Sequence, residues 1–323
     1  MATYKKQPKV LMKKHYAPKL FQFFESLSEY IGCKKPNEFY VTNETNISIT
    51  FVDGIAGMFS GKTALLIGMP LVAGMSLQQF SGMVAREYGH FAQGRAVYIR
   101  FTINAINKWL YARAYKKDKI DEKIESYLKD HEVMTFLSII CQIVKFGFRL
   151  PRWIFQFLYK ISLRCSYDLS RKFEFDADRY EVNVTGSSVF EQNAINLQVL
   201  NLSKNQVDKI ILQKFHDTAT VFEDIPLAVA NIAKKYDEKA KQRIQKRMRI
   251  ILEVWSANPA DHERVVLSQQ RNEQGLDIPL IPAAKLFGNV AVLNKKVSRQ
   301  YYREYLSIAD PKKYMVSNKQ IQS

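Results

Sequence analysis

The chain has 323 residues, 47% of them apolar, enough to fill one large domain or two modest ones, which excludes a disordered tail. Its 48 Lys and Arg against 31 Asp and Glu leave a net charge of +17, which suits anionic lipid, nucleic acid or an acidic protein, or simply a solvated basic surface. Three cysteines, Cys33, Cys141 and Cys165, lack paired short spacings, which indicates neither a disulfide framework nor a cysteine zinc site and fits a reducing compartment.

Residues 1–38 read as a basic arm followed by a helix. Lys5, Lys6, Lys9, Lys13 and Lys14 interrupt every early apolar stretch, so no signal-peptide core is present and secretion by that route is not expected. Leu20, Phe23, Phe24, Leu27 and Ile31 then recur at helical spacing. From 39 to 75 the texture changes to short β-branched and apolar runs, 47–52 and 63–72, cut by Gly54, Gly57, Gly61 and Gly68, which predicts a small sheet. Ser76 with Gln79 three residues on is a capping-box pattern, predicting a helix through Phe80, Val84 and Tyr88 to about residue 91.

Residues 102–129 stay helical in pattern and become heavily charged. At 133–163 two apolar stretches, 133–144 and 153–159, are broken by Lys145, Arg149, Pro151 and Arg152. No window reaches the roughly 18 uninterrupted apolar residues of a membrane span. The pattern predicts a hairpin of helices, either lying on a membrane with Lys and Arg at headgroup depth or buried against the rest of the domain. A helix carrying 170–181 follows, and after Gly186 come further helices, including 231–253 with eight Lys or Arg between Lys234 and Arg249. The expected division is an arm and helix at 1–38, a domain at 39–270 that contains the hairpin, and a C-terminal extension at 271–323. The fold class expected is α+β, mostly helical with a small sheet.

Two segments carry candidate chemistry. In Arg86-Glu87-Tyr88-Gly89-His90, positions four apart share a helix face, the spacing at which two histidines grip one zinc while the Glu after the first polarises water. Here the first histidine is Arg86. In 170–180, Glu174 and Asp178 are also four apart, so a helix aims both carboxylates one way, one to bind a metal and one to orient a ligand. Taken singly, each segment equally describes an amphipathic helix with a lone His or a solvated acidic face.

Together, and with 70–76 leading into the first of them, these segments resemble the membrane-associated gluzincin metallopeptidases of the HtpX and CAAX prenyl protease type. The resemblance covers roughly 71–200, with a weaker extension to about 265. It implies a zincin-like domain, a substrate cleft lined by the strand before the helix, zinc as cofactor, a polypeptide substrate or client, and association with a membrane on its cytoplasmic side. It casts His90 and Glu174 as zinc ligands, Glu87 as general base and Asp178 as the carboxylate that orients the first histidine, whose place Arg86 takes. The family's His-Pro motif with Arg after four residues matches Asn258-Pro259 and Arg264. Asn258 stands where a histidine would steady the tetrahedral intermediate, and Asn still donates a hydrogen bond to an oxyanion.

Arginine has no lone pair and stays protonated, so it cannot bind zinc. Two protein ligands remain where hydrolytic zinc sites keep three. The expectation is a pseudopeptidase in which Arg86 pairs with Asp178 or Glu174 and takes the electrostatic part of the metal. The alternatives are an active zinc endopeptidase that recruits a substitute ligand, with His262 better placed than Cys165, or a non-enzymatic binder of anionic membrane or nucleic acid. No zinc finger or aromatic RNA-binding signature is present, and nucleic acid is not an expected partner.

Overall fold

The computed structural model describes residues 8–14, 17–52, 60–115, 135–248 and 259–322. Along the chain run β1 (Lys9–Leu11), α1 (Pro18–Ile31), β2 (Glu38–Thr42), β3 (Ile47–Phe51), β4 (Thr63–Gly68), α2 (Met69–Gly74), α3 (Leu77–Ala92), α4 (Arg95–Tyr115) and α5 (Thr135–Thr185). After these come α6 (Ser187–Thr218), β5 (Val221–Phe222), α7 (Ile225–Ala233), α8 (Glu238–Met248), α9 (Asp261–Arg271), α10 (Val290–Glu304), β6 (Met315–Val316) and α11 (Asn318–Gln322). The protein is mostly helical with a small mixed sheet. It divides into two units, one formed by Met1–Gln93, Glu174–Leu252 and Pro259–Ser323, the other by Gly94–Phe173 and Glu253–Asn258.

In the first unit the sheet order is β1-β2-β4-β3. β2 and β4 are parallel, with Tyr40 opposite Leu66, while β1 and β3 pair antiparallel to their neighbours. Every residue of β4 is buried, as a central strand covered on both faces demands. β3 is an edge strand, and α3 packs beside it, with the Phe51 and Phe91 rings 5.8 Å apart.

Residues 69–72, expected to extend this strand, instead begin α2. Gly68 crosses the backbone at 44–46 so closely that a Cβ would run into the carbonyl oxygen of Glu44. Pro70, with no N–H for the ladder, sits in the first turn of α2, where that donor is not needed. α3 has the expected cap: Ser76 Oγ accepts from the Gln79 amide at 3.3 Å and Gln79 Oε1 accepts from the Ser76 amide at 3.2 Å. Phe80, Val84 and Tyr88 lie on its buried face.

α1 and α10 enter the same core. Leu20 and Phe24 of α1 pack there with Val297 and Tyr302 of α10, from the 271–323 segment expected as an extension. Asn318 clamps Asp224 by accepting from its amide at 3.2 Å and donating to its carbonyl at 2.7 Å. The basic helix expected at 231–253 is two helices, because Asp237 accepts from the Ala240 amide at 2.8 Å and opens a new one as its cap. The end of that segment, 249–253, lies outside the described residues, as does 116–129 of the charged helical pattern.

In the second unit, α4 and the neighbouring part of α5 join through Trp109 on Phe155 and Tyr111 on Tyr159, both with ring centroids 5.6 Å apart. Asn107 donates to Ser166 Oγ at 3.3 Å and Gln156 to the Ala114 carbonyl at 3.3 Å. The hairpin expected at 133–163 is not formed: α5 runs unbroken from Thr135 through Pro151 to Thr185. Proline removes one backbone bond, and the turns after Pro151 are held by these contacts to α4. No helix among the described residues is long and apolar enough to cross a membrane.

Candidate functional site

Three helices of the first unit converge on the residues singled out above. α3 carries Arg86, Glu87 and His90, and the end of α5 carries Glu174, Asp178 and Glu181 at i, i+4 and i+7, one face of the helix. α9 brings Arg264 one turn from its start. α3 and α5 approach closely because Gly82 and Gly89, seven residues apart, leave no side chain between them. A Cβ at Gly82 would press on Thr185 and Glu181, and one at Gly89 on the Tyr180 ring, whose own Cβ would be 3.0 Å away.

Across this seam Arg86 Nη2 donates to Glu174 Oε2 at 2.5 Å, with 16% and 7% of the two side chains exposed. Arg86 Nε lies 3.2 Å from Asp178 Oδ1, an ion-pair separation without hydrogen-bond alignment. The pairing expected of Arg86 thus reaches both carboxylates. Arg264 grips Asp178 from the other side, Nε to Oδ2 and Nη2 to Oδ1, each at 2.8 Å, and its Nη1 donates to Asp261 Oδ1 at 3.2 Å. Glu181 is buried and accepts from Asn193 Nδ2 of α6 at 2.5 Å. His90 Nε2 stands 3.7 Å from the same Glu174 oxygen that Arg86 holds. Glu87 is half-buried on α3.

Like carboxylates one turn apart repel, and here two guanidinium groups answer them. Burial pushes the Glu181 carboxyl above the usual carboxylate range; Arg86 draws it back, Asp178 pushes it further up, and Arg264 and the Asn193 bond also draw it back. Burial alone would lower the Arg264 pKa, but attraction and hydrogen bonds to Asp178, with Glu181 and Asp261 adding, leave it raised. A cavity of about 20 Å³ lined by Met83, Arg86, Glu181, Phe190, Asp261 and Arg264 has room for a single water.

The zinc implied by the resemblance does not fit these residues. Zinc would have to lie about 2.0–2.2 Å from both a Glu174 oxygen and the His90 nitrogen, and the Arg86 guanidinium already fills the space beside Glu174 Oε2. Among the described residues no three His, Cys, Asp or Glu side chains are grouped to hold a metal ion. His262, the candidate substitute ligand, is half-buried on α9, and Cys165 is exposed in the second unit. Asn258 lies outside the described residues.

Arg264, Glu181 and Asn193 complete the cluster without having been singled out as site residues. Glu181 had a signal, since it extends the Glu174 and Asp178 face by one more turn. Arg264 had one too, as the last residue of the Asn258-Pro259 motif. Asn193 had none. No protein-family model, curated protein or solved structure matches this chain.

Proposed function

We propose that the chain is a zincin-like scaffold of the HtpX and CAAX prenyl protease type whose metal centre has given way to a buried guanidinium–carboxylate cluster, leaving a pseudopeptidase. One observation carries this reading: Arg86, at the position of the motif's first histidine, donates to Glu174, the residue the resemblance casts as a zinc ligand. A cation that cannot leave or exchange, and cannot lower the pKa of water, neutralises the carboxylates there. Glu87 then has no metal-bound water to deprotonate, and hydrolysis is lost. The edge strand β3 beside α3 suits an extended polypeptide added to the sheet by backbone hydrogen bonds, so the retained activity is binding of a polypeptide client without cleavage.

The test is elemental analysis for zinc on the purified chain and on Arg86→His, each assayed for cleavage and for binding of casein as an unfolded probe. The expected result is no zinc and no cleavage in the parent, with casein still bound, and zinc uptake in the variant. Stoichiometric zinc with casein cleavage by the parent would overturn the proposal.

A further inference from the structure

α8 carries a basic surface that the candidate site does not use. Residues 234–247 hold seven Lys or Arg against two acids. Both acids are engaged within the segment: Asp237 caps the helix by accepting from the Ala240 amide at 2.8 Å, and Glu238 accepts from Lys241 at 2.7 Å. Lys234 and Lys235 in the turn before the helix, and Lys239, Arg243, Lys246 and Arg247 along it, are exposed and meet no acidic side chain among the described residues. The last four fall within an arc of about 100° and about 12 Å of helix. Ile244 and Gln245, on the other side, seat α8 on α6: Ile244 is the one buried residue of α8, and Gln245 donates to Glu191 at 2.7 Å.

The helix does not need such a face for itself. Like charges one turn apart, Lys239 with Arg243 and Arg243 with Arg247, destabilise a helix. Lys239 also sits in the first turn, where the helix dipole opposes a cation, and only Lys246 and Arg247, in the last turn, answer that dipole. A bound polyanion relieves the repulsion at all these positions together.

Composition decides which polyanion. The exposed residues of α8 include Gln242 beside the cations and no apolar or aromatic side chain, whereas the core of a protein interface is built from aromatic and aliphatic anchors and is depleted of lysine. A lipid surface is entered by the apolar side of a helix, and in α8 that side is covered by α6. The backbone of a nucleic acid asks only for charge and hydrogen-bond donors. A zinc finger or aromatic RNA-binding signature serves to read bases, so its absence does not bear on backbone contact. About 12 Å of duplex carries roughly seven phosphates over its two strands, enough to give each of these cations a partner.

We propose that α8 and the turn before it bind the sugar–phosphate backbone of a nucleic-acid duplex without reading its sequence, with Lys239, Arg243, Lys246 and Arg247 each meeting a phosphate. This binding is independent of whether the α3 site holds zinc or cleaves polypeptide.

The full chain is titrated into a fluorescein-labelled DNA duplex of about 20 base pairs and followed by anisotropy from about 50 to about 200 mM salt. Binding is expected at low salt, with log affinity falling against log salt at a slope of about −4, as for four phosphates, and with the same affinity for a duplex of unrelated sequence. Arg243→Gln combined with Lys246→Gln lowers the affinity by about tenfold or more at the low-salt end and makes the slope shallower by about 2, with no loss of thermal stability. Lys312→Gln combined with Lys313→Gln, exposed in another part of the chain, removes the same charge and leaves affinity and slope as in the parent. Absence of binding at low salt would overturn the proposal, as would equal losses in the two double variants. So would displacement of the labelled duplex by polyglutamate or by phosphatidylserine vesicles as readily as by unlabelled duplex, which would give the face to an acidic polypeptide or a membrane.

Discussion

Arg264 holds Asp178 with two parallel hydrogen bonds, Nε to Oδ2 and Nη2 to Oδ1, both at 2.8 Å, from a side chain that is only 13% exposed. The fork geometry fixes α9 against α5 and leaves Asp178 one edge to share with Arg86. Removing Arg264 strands a buried carboxylate, so Arg264→Ala is expected to cost about 3–5 kcal/mol of stability. Arg264→Lys recovers little, since an ammonium cannot bridge both oxygens. Denaturant unfolding of the two variants checks this, and a loss under about 1 kcal/mol in both would show that the pair is not structural.

Arg86 and Glu174 are coupled in the same way across the α3–α5 seam. Arg86→Ala should destabilise the fold by about 2–4 kcal/mol, because the buried Glu174 carboxyl loses the guanidinium that donates to it. Arg86→Met with Glu174→Gln, which removes both charges at similar volume, should restore a large part of that loss. A double-mutant cycle measures the coupling. Additive single-variant losses would mean that the two residues act separately.

The helix that presents Arg86 is legible in the sequence because its signals are local: Ser76 and Gln79 cap it, and Phe80, Val84 and Tyr88 recur every four residues. The pairing of Arg86 is legible too, since Glu174 and Asp178 on one face call for a countercharge. The bonds from Arg264 are not, because Arg264 lies 86 residues from Asp178 and nothing near it in the chain says which way its side chain turns. Pro151 misleads in the other direction. A proline among basic residues reads as a helix break, and the contacts that carry α5 past it come from α4. The change from strand to helix at Met69 likewise depends on the backbone at Glu44 crowding Gly68, which is contact at a distance along the chain.

Gly89 separates helix propensity from packing. In an exposed helix, replacing glycine with alanine stabilises by about 1 kcal/mol. Here the added methyl would meet Tyr180 at its Cβ as well as its ring, so rotating the ring cannot clear it. Gly89→Ala is therefore expected to destabilise by about 1–3 kcal/mol as α3 and α5 are forced apart. Thermal unfolding decides by sign alone: a stabilised variant would mean that the helices part without cost.

Glu181 gives the cluster a pH signature. Its carboxyl is pushed above the usual range chiefly by burial, with Arg86, Arg264 and Asn193 opposing the rise and Asp178 adding to it. A folded-state pKa above the unfolded one means that the native protein holds this proton more tightly. The resulting stability is full below the unfolded value of about 4.3 and is lost as pH rises through the folded value. Glu181→Gln keeps a carbonyl to accept from Asn193 and removes the titration. The variant's stability should fall less than the parent's as pH is raised from acid toward neutral, and once the parent's Glu181 ionises the variant should be the more stable of the two. Unfolding free energies measured across that range test the sign, and parallel profiles for the two proteins would show that Glu181 is ionised at the same pH whether the chain is folded or not.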